Sequence, residues 1–149
     1  MYKQDACCDA KIMIAKTSLP KTAQRMAVLR ILLRVGRPVC VTEILDQLKE
    51  EKLKINKVTI YRIINSFKRE ALIREIATCQ GIHYYEAACV HHPVHPHLNC
   101  RLCGGIFCIA PFVFLPLRGL LSKKYDFSME QINVNITGVC SQCLNKRET

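Results

Sequence analysis

The chain has 149 residues, half of them apolar, with 22 Lys and Arg against 12 Asp and Glu and with ten cysteines. That length holds one ordinary domain or two small ones, and its apolar half is enough for a real core, which excludes a low-complexity chain. The most apolar run, Ile106–Leu117, is twelve residues long and contains Pro111 and Pro116, which excludes a membrane span.

Met1–Ala10 is mixed and polar, with Asp5 and Asp9, unlike a signal peptide. The expected location is therefore cytoplasmic, where thiols stay reduced and paired cysteines read as metal ligands rather than disulfides. The charge is uneven. Residues 1–74 carry 16 Lys and Arg against 7 Asp and Glu, or +9, while residues 75–149 carry 6 against 5, or +1. This suggests a polyanion-binding half joined to a neutral half, with a merely soluble basic surface equally open on charge alone.

After a mixed lead-in of about fifteen residues, a helical pattern starts at Thr22, a capping residue. Met26, Leu29 and Leu33 form a stripe flanked by Val28 and Leu32, and Gly36 and Pro38 end it. Thr42 is the expected cap of a second helix with Ile44, Leu45 and Leu48 inward. A third helix is expected from about Lys57 to Arg69, with Ile60, Ile63, Ile64 and Phe67 at i, i+3, i+4 and i+7. Lys57, Thr59, Tyr61, Arg62, Asn65, Lys68 and Arg69 occupy its other faces. The period then changes to two: Leu72–Ala77 and Ile82–Ala87 read as strands joined by a turn at Gln80-Gly81. Three short helices and a β-hairpin are the pattern of a winged helix, whose third helix enters the major groove.

The second half opens with a His- and Pro-rich linker, His91–His97. A helix is expected within Pro116–Lys124, and Ile132, Val134 and Ile136 alternate in a strand leading to Gly138. Two C-x-x-C pairs, Cys100/Cys103 and Cys140/Cys143, bracket this half. Two residues between cysteines let both sulfurs of a turn reach one ion, and two such pairs complete the tetrahedral all-thiolate shell that Zn²⁺ favours. A redox dithiol and buried apolar cysteines are the alternatives.

Taken in order, Thr22-Ala-Gln-Arg25, Val58-Thr-Ile-Tyr-Arg62, His95-Pro-His-Leu-Asn-Cys100-Arg-Leu-Cys103-Gly104 and Gly138-Val-Cys-Ser-Gln-Cys143 resemble the ferric uptake regulator family of repressors, over roughly Leu19 to Cys143. The resemblance implies an α/β (α+β) protein: a winged-helix DNA-binding domain with an N-terminal extension over 1–87, a hinge over 88–98, and a zinc-clipped dimerisation domain over 99–149. It further implies a homodimer on a palindromic operator in double-stranded DNA, a structural zinc on the four paired cysteines, and a separate regulatory metal near the hinge. Arg62 and Lys68 are cations suited to phosphate, and Tyr61 can contact a phosphate or a thymine methyl. By resemblance Tyr61 and Arg62 match the recognition-helix pair, Arg25 matches a position near DNA, and Lys21 and Thr59 join the candidate DNA contacts. A salt bridge within its helix is the other reading of Arg25.

For the regulatory site the sequence offers Glu75, Cys89, His95 and His97, a shell of one carboxylate, one thiolate and two imidazoles that suits Zn²⁺. It resembles the zinc uptake regulators of the family, so zinc sensing and control of zinc-uptake genes are expected. The iron-sensing alternative would use Glu86 with His95 and His97 and a histidine before the second helix. Gly36-Arg-Pro-Val-Cys40 has none there. The family's acid after the first C-x-x-C is replaced by Cys108, and no histidine stands near Gln131, so an additional metal site in this half is not expected. These losses remove harder ligands, which favours Zn²⁺ over Fe²⁺. Cys108 is itself a possible competitor for the metal. His91 and His92 read as linker residues, His83 as a surface residue, and Cys40 and Cys79 as ordinary thiols; Cys7-Cys8 is too local to interpret. An enzyme, either a zinc hydrolase or a thiol oxidoreductase, is the rival class. H-E-x-x-H and H-x-E motifs are missing, and a four-cysteine site is closed to substrate. A zinc-dependent protein adaptor would leave the N-terminal charge unexplained.

Overall fold

The structure, a computed structural model, describes residues 9–76, 81–89, 93–110, 115–130 and 132–146. Cys7, Cys8, Cys79, His91, His92 and Gln131 lie outside these, as do Gln80 and Ala77 of the expected hairpin. The chain divides into two compact units, Met1–Pro93 and Val94–Thr149, with the boundary inside the 88–98 segment.

The first unit begins with a helix that the periodicity did not predict, α1 (Ala10–Ala15). The Asp9 side chain accepts from the backbone N–H of Lys11 and Ile12 and supplies its cap. Six residues make too little helix to persist alone; α1 is held because Ala10, Met13 and Ile14 are buried on one face. Next come α2 (Ala23–Val35), capped by Thr22 and ended by Gly36 at φ 63°, and β1 (Val39–Cys40). The left-handed conformation at Gly36 closes α2 where a side chain would be strained. α3 (Val41–Glu50) starts one residue ahead of the expected Thr42 cap. The N-cap is Cys40, whose N–H donates to Glu43 Oε2 at 2.9 Å, so the acid three residues on fixes the start.

α4 (Lys57–Arg69) has the expected limits, with Asn56 Oδ1 accepting from Thr59 N–H at 2.7 Å. Its Ile60, Ile63, Ile64 and Phe67 enter a core shared with Ile14, Leu29, Leu32 and Ile44. Each such side chain contributes about 1.5–3 kcal/mol on burial. β2 (Ile73–Ile76) and β3 (Tyr84–Ala87) pair antiparallel, and β1 adds to the other edge of β3, giving the order β1-β3-β2. The hairpin is thus the larger part of a three-stranded sheet behind α4.

The second unit is built on a sheet of order β5-β4-β6. β4 (His97–Cys100) pairs antiparallel with β5 (Ile106–Cys108) and parallel with β6 (Asn135–Gly138). A helix, α5 (Leu115–Tyr125), connects the edge strands through the sequence, close to the expected position. β6 starts after Ile132 and Val134, although Val134 O still accepts from His97 N–H at 2.9 Å. A final short helix, α6 (Ser141–Asn145), was not expected.

Candidate metal centres and nucleic-acid interface

The parallel pairing of β4 with β6 brings the two C-x-x-C turns together. Cys100 stands opposite Gly138, and Arg101 N–H reaches Gly138 O at 2.9 Å. Cys140 then caps α6, which carries Cys143. One ligand atom from each of Cys100, Cys103, Cys140 and Cys143 lies within 4.8 Å of the others. Cys103 Sγ is 3.8 Å from Cys140 Sγ, and Cys140 N–H donates to Cys100 Sγ at 3.3 Å. All four are free thiols. Backbone N–H groups of Cys103 and Cys140 lower the Cys100 thiol to about 6. Sharing of a proton with Cys140 pushes Cys143 up to about 12. Gly104 at φ 71° turns the chain after the first pair. A Cβ on Gly105 would sit 3.2 Å from Cys103 Sγ, so the close passage of the chain under the sulfur favours glycine. Four convergent sulfurs, one already favoured as thiolate, fit a closed tetrahedral soft-metal site.

A second group of donors lies in the same unit. His95, His97 and Cys108 each offer an atom within 4.8 Å of the others. The cause is register: His97 on β4 pairs directly with Cys108 on β5. The His95 and His97 rings stand 4.6 Å apart at 50°, and both residues are buried while Cys108 is exposed. Two imidazoles and a thiol match borderline-soft divalent metals.

The other residues read as sensing ligands belong to the first unit and have partners there. Glu75 on β2 forms an ion pair with Lys68 and a side-chain hydrogen bond with His83, which hold its carboxyl below the usual range, Lys68 contributing most. Cys89 is half-buried against the hydrophobic core. Glu86 on β3 is buried, with Oε1 3.0 Å from Arg74 Nε. In the sequence Cys108 stood as the residue replacing an acid and as a competitor for the metal; its pairing opposite His97 is what brings it to the histidines.

On the basic half, α4 presents Tyr61, Arg62 and Lys68 to solvent, with Thr59 half-buried near its start. Lys57 Nζ lies 5.9 Å above the Tyr61 ring. Lys21 is exposed ahead of α2. Arg25 Nη1 donates to Pro20 O at 3.2 Å, a bond to the preceding loop in place of the salt bridge considered from sequence. The opposite face of α4 is the core face, so the cations point outward.

The family model described as Ferric uptake regulator family matches residues 16–137. The ferric uptake regulation protein of Helicobacter pylori is 26% identical over 133 residues, covering 89% of this chain and 87% of that protein. The peroxide-responsive repressor PerR of Staphylococcus aureus is 26% identical over 125 residues, covering 84% of this chain and 82% of that protein. Among solved structures, the H. pylori regulator, described as having three functional metal binding sites, aligns with a TM-score of 0.74 at 25% identity, covering 90% of this chain and 88% of that chain. With a helical, basic first unit, a small sheet unit and two convergent donor groups already in place, the chain belongs to the ferric uptake regulator family of metal-responsive, DNA-binding transcription regulators.

Proposed function

We propose that this regulator is a homodimeric repressor that senses zinc and controls zinc-uptake genes from a palindromic operator. The observation that carries the metal reading is the thiol of Cys108 opposite His97 and beside His95. A thiolate with two imidazoles ranks Zn²⁺ above Fe²⁺. His95 and His97 are common to either ligand set. The remaining donors are Cys108 from the same unit and a carboxylate from the first unit. Glu86, buried and oriented by Arg74, suits that role better than Glu75, which Lys68 and His83 engage. Glu75 with Cys89 is the alternative completion. Ligands drawn from both units favour one arrangement of the DNA-binding half, and the metal shifts that equilibrium only by its differential affinity for the arrangements.

The four cysteines hold a separate structural zinc. Dimerisation is supported by the second sheet, where Leu98, Phe107 and Ile136 form one row across three strands by register and are each more than a third exposed. An apolar row of this kind on a small domain gains by burial against a second copy. DNA contact falls to Tyr61, Arg62 and Thr59 of α4, with Lys21 and Arg25 at the start of α2 and Lys68 in the last turn of α4. Among the described residues no helix is long and apolar enough to cross a membrane, in keeping with a cytoplasmic regulator.

Metal analysis of purified variants tests the assignment. His95→Ala and Cys108→Ser should each lose one zinc and zinc-dependent operator binding while keeping the four-cysteine zinc. Cys103→Ser should lose the other. Loss of a zinc from Cys89→Ser and not from Cys108→Ser would move the site to the alternative donors. An iron sensor, the reading that Glu86 with two histidines also allows, would instead retain Fe²⁺ in preference to Zn²⁺ in competition.

A further inference from the structure

Glu75 links α4, which carries the proposed DNA contacts, to the wing. It lies on β2, pairs in register with Tyr85 on β3, ion-pairs with Lys68 in the last turn of α4 and contacts the His83 side chain just ahead of β3. Its charge and the Tyr61 phenol also act on the Tyr85 hydroxyl, which burial already pushes up. One carboxylate therefore joins the helix that carries Tyr61 and Arg62 to both strands of the wing. The pairs are open to water: the side chains of Lys68, Glu75 and His83 are 39%, 27% and 63% exposed. Exposed pairs of this kind add little to folding stability. Their position matters more, because an anion here repels phosphate and occupies a cation that phosphate would otherwise attract.

Resting on the DNA-binding reading, we propose that Glu75 is an electrostatic brake: it holds Lys68 in an internal ion pair beside the wing residue His83 and so restrains sequence-independent binding to DNA. In the complex, a phosphate must displace the carboxylate before Lys68 contributes. Tyr61 and Arg62, which stand outside these contacts, keep their roles. The restraint acts on the electrostatic share of affinity, which is the share common to all sequences. A repressor gains selectivity when this share is small.

The test uses the full-length, zinc-loaded protein and a random-sequence duplex of about 25 base pairs, with affinity read by fluorescence anisotropy from 50 to 200 mM KCl. Glu75→Gln should bind about 3- to 10-fold tighter at the low-salt end, and its log–log salt slope should steepen by about 0.9 for each further phosphate neutralised. Glu75→Asp should restore the wild-type slope. Lys68→Met should remove the gain when combined with Glu75→Gln. An unchanged slope for Glu75→Gln, with its thermal melt intact, overturns the brake. If Glu75→Gln instead loses a zinc and binds more weakly, the brake is equally overturned and Glu75 belongs to the sensing site. Should Glu75→Gln fold poorly, Glu75→Ala decides by the same salt series: a steeper slope supports the brake and an unchanged slope overturns it. Failure of the wild-type protein to bind any duplex would overturn the DNA-binding reading itself.

Discussion

Arg74→Ala would remove a counter-ion of Glu86, the buried carboxylate beside the linker. Arg74 Nε lies 3.0 Å from Glu86 Oε1, with the two side chains 17% and 8% exposed. At an effective dielectric of about 20, Coulomb's law gives an attraction of roughly 5–6 kcal/mol at that separation. The cost of drying both ions offsets much of this, so the intact pair contributes little net stability. Removing one partner is another matter, because the remaining charge stays buried, and the loss is about 3–5 kcal/mol. Arg74 Nη2 also donates to Pro93 O at 3.4 Å, at the end of the first unit. Against a typical total of about 5–15 kcal/mol, the variant should unfold at markedly lower urea. Urea titrations by circular dichroism on Arg74→Ala, Glu86→Gln and the double variant measure the coupling. The double variant should be more stable than Arg74→Ala by about 2 kcal/mol, since no charge is then stranded. A loss under about 1 kcal/mol for Arg74→Ala, or strictly additive effects, would refute the reasoning and describe a pair that water already screens.

Asn56→Ala should remove the cap of α4 and cost about 1 kcal/mol, seen as a fall of roughly 4–8 °C in the melting of the first unit, with Asn56→Asp close to wild type. Glu43 gives the acid dependence its sign. Burial raises its pKa, but the Arg37 guanidinium and the Cys40 N–H outweigh that and hold it below the usual carboxylate range. Its stabilising contribution is therefore full above about pH 4.3 and is lost as the pH falls through the lower folded value. Glu43→Gln should flatten that acid limb in a series of melts between about pH 3 and 6, by the same linkage.

The parts of the molecule that could be read in advance are those whose cause is local. α4 was legible to its ends because Ile60, Ile63, Ile64 and Phe67 repeat at helical spacing behind an asparagine cap. The C-x-x-C pairs were legible because each is set by one turn, and His95 and His97 because they alternate in an extended segment. α1 was missed for the opposite reason: six residues carry little pattern, and Ala10, Met13 and Ile14 become a helix face only against a core built by later segments. The start of α3 was placed wrongly because Glu43 reaches back to the Cys40 N–H, which sets the cap two residues ahead of Thr42. Glu75 looked like a ligand by residue type, but its engagement by Lys68 and His83 depends on the packing of α4 against the hairpin.

By itself, the sequence determined the family, the two halves of unequal charge, the amphipathic basic helix α4 and the four-cysteine group. Periodicity, charge and close spacing are properties of neighbouring residues, and they survive in one dimension. Tertiary structure decided which donors meet. Cys108 reaches His97 only through the antiparallel register of β5 on β4, and Cys100 reaches Cys140 only through the parallel pairing of β4 with β6. Strand register is fixed by burial and hydrogen bonding over the whole sheet, so no local spacing announces it.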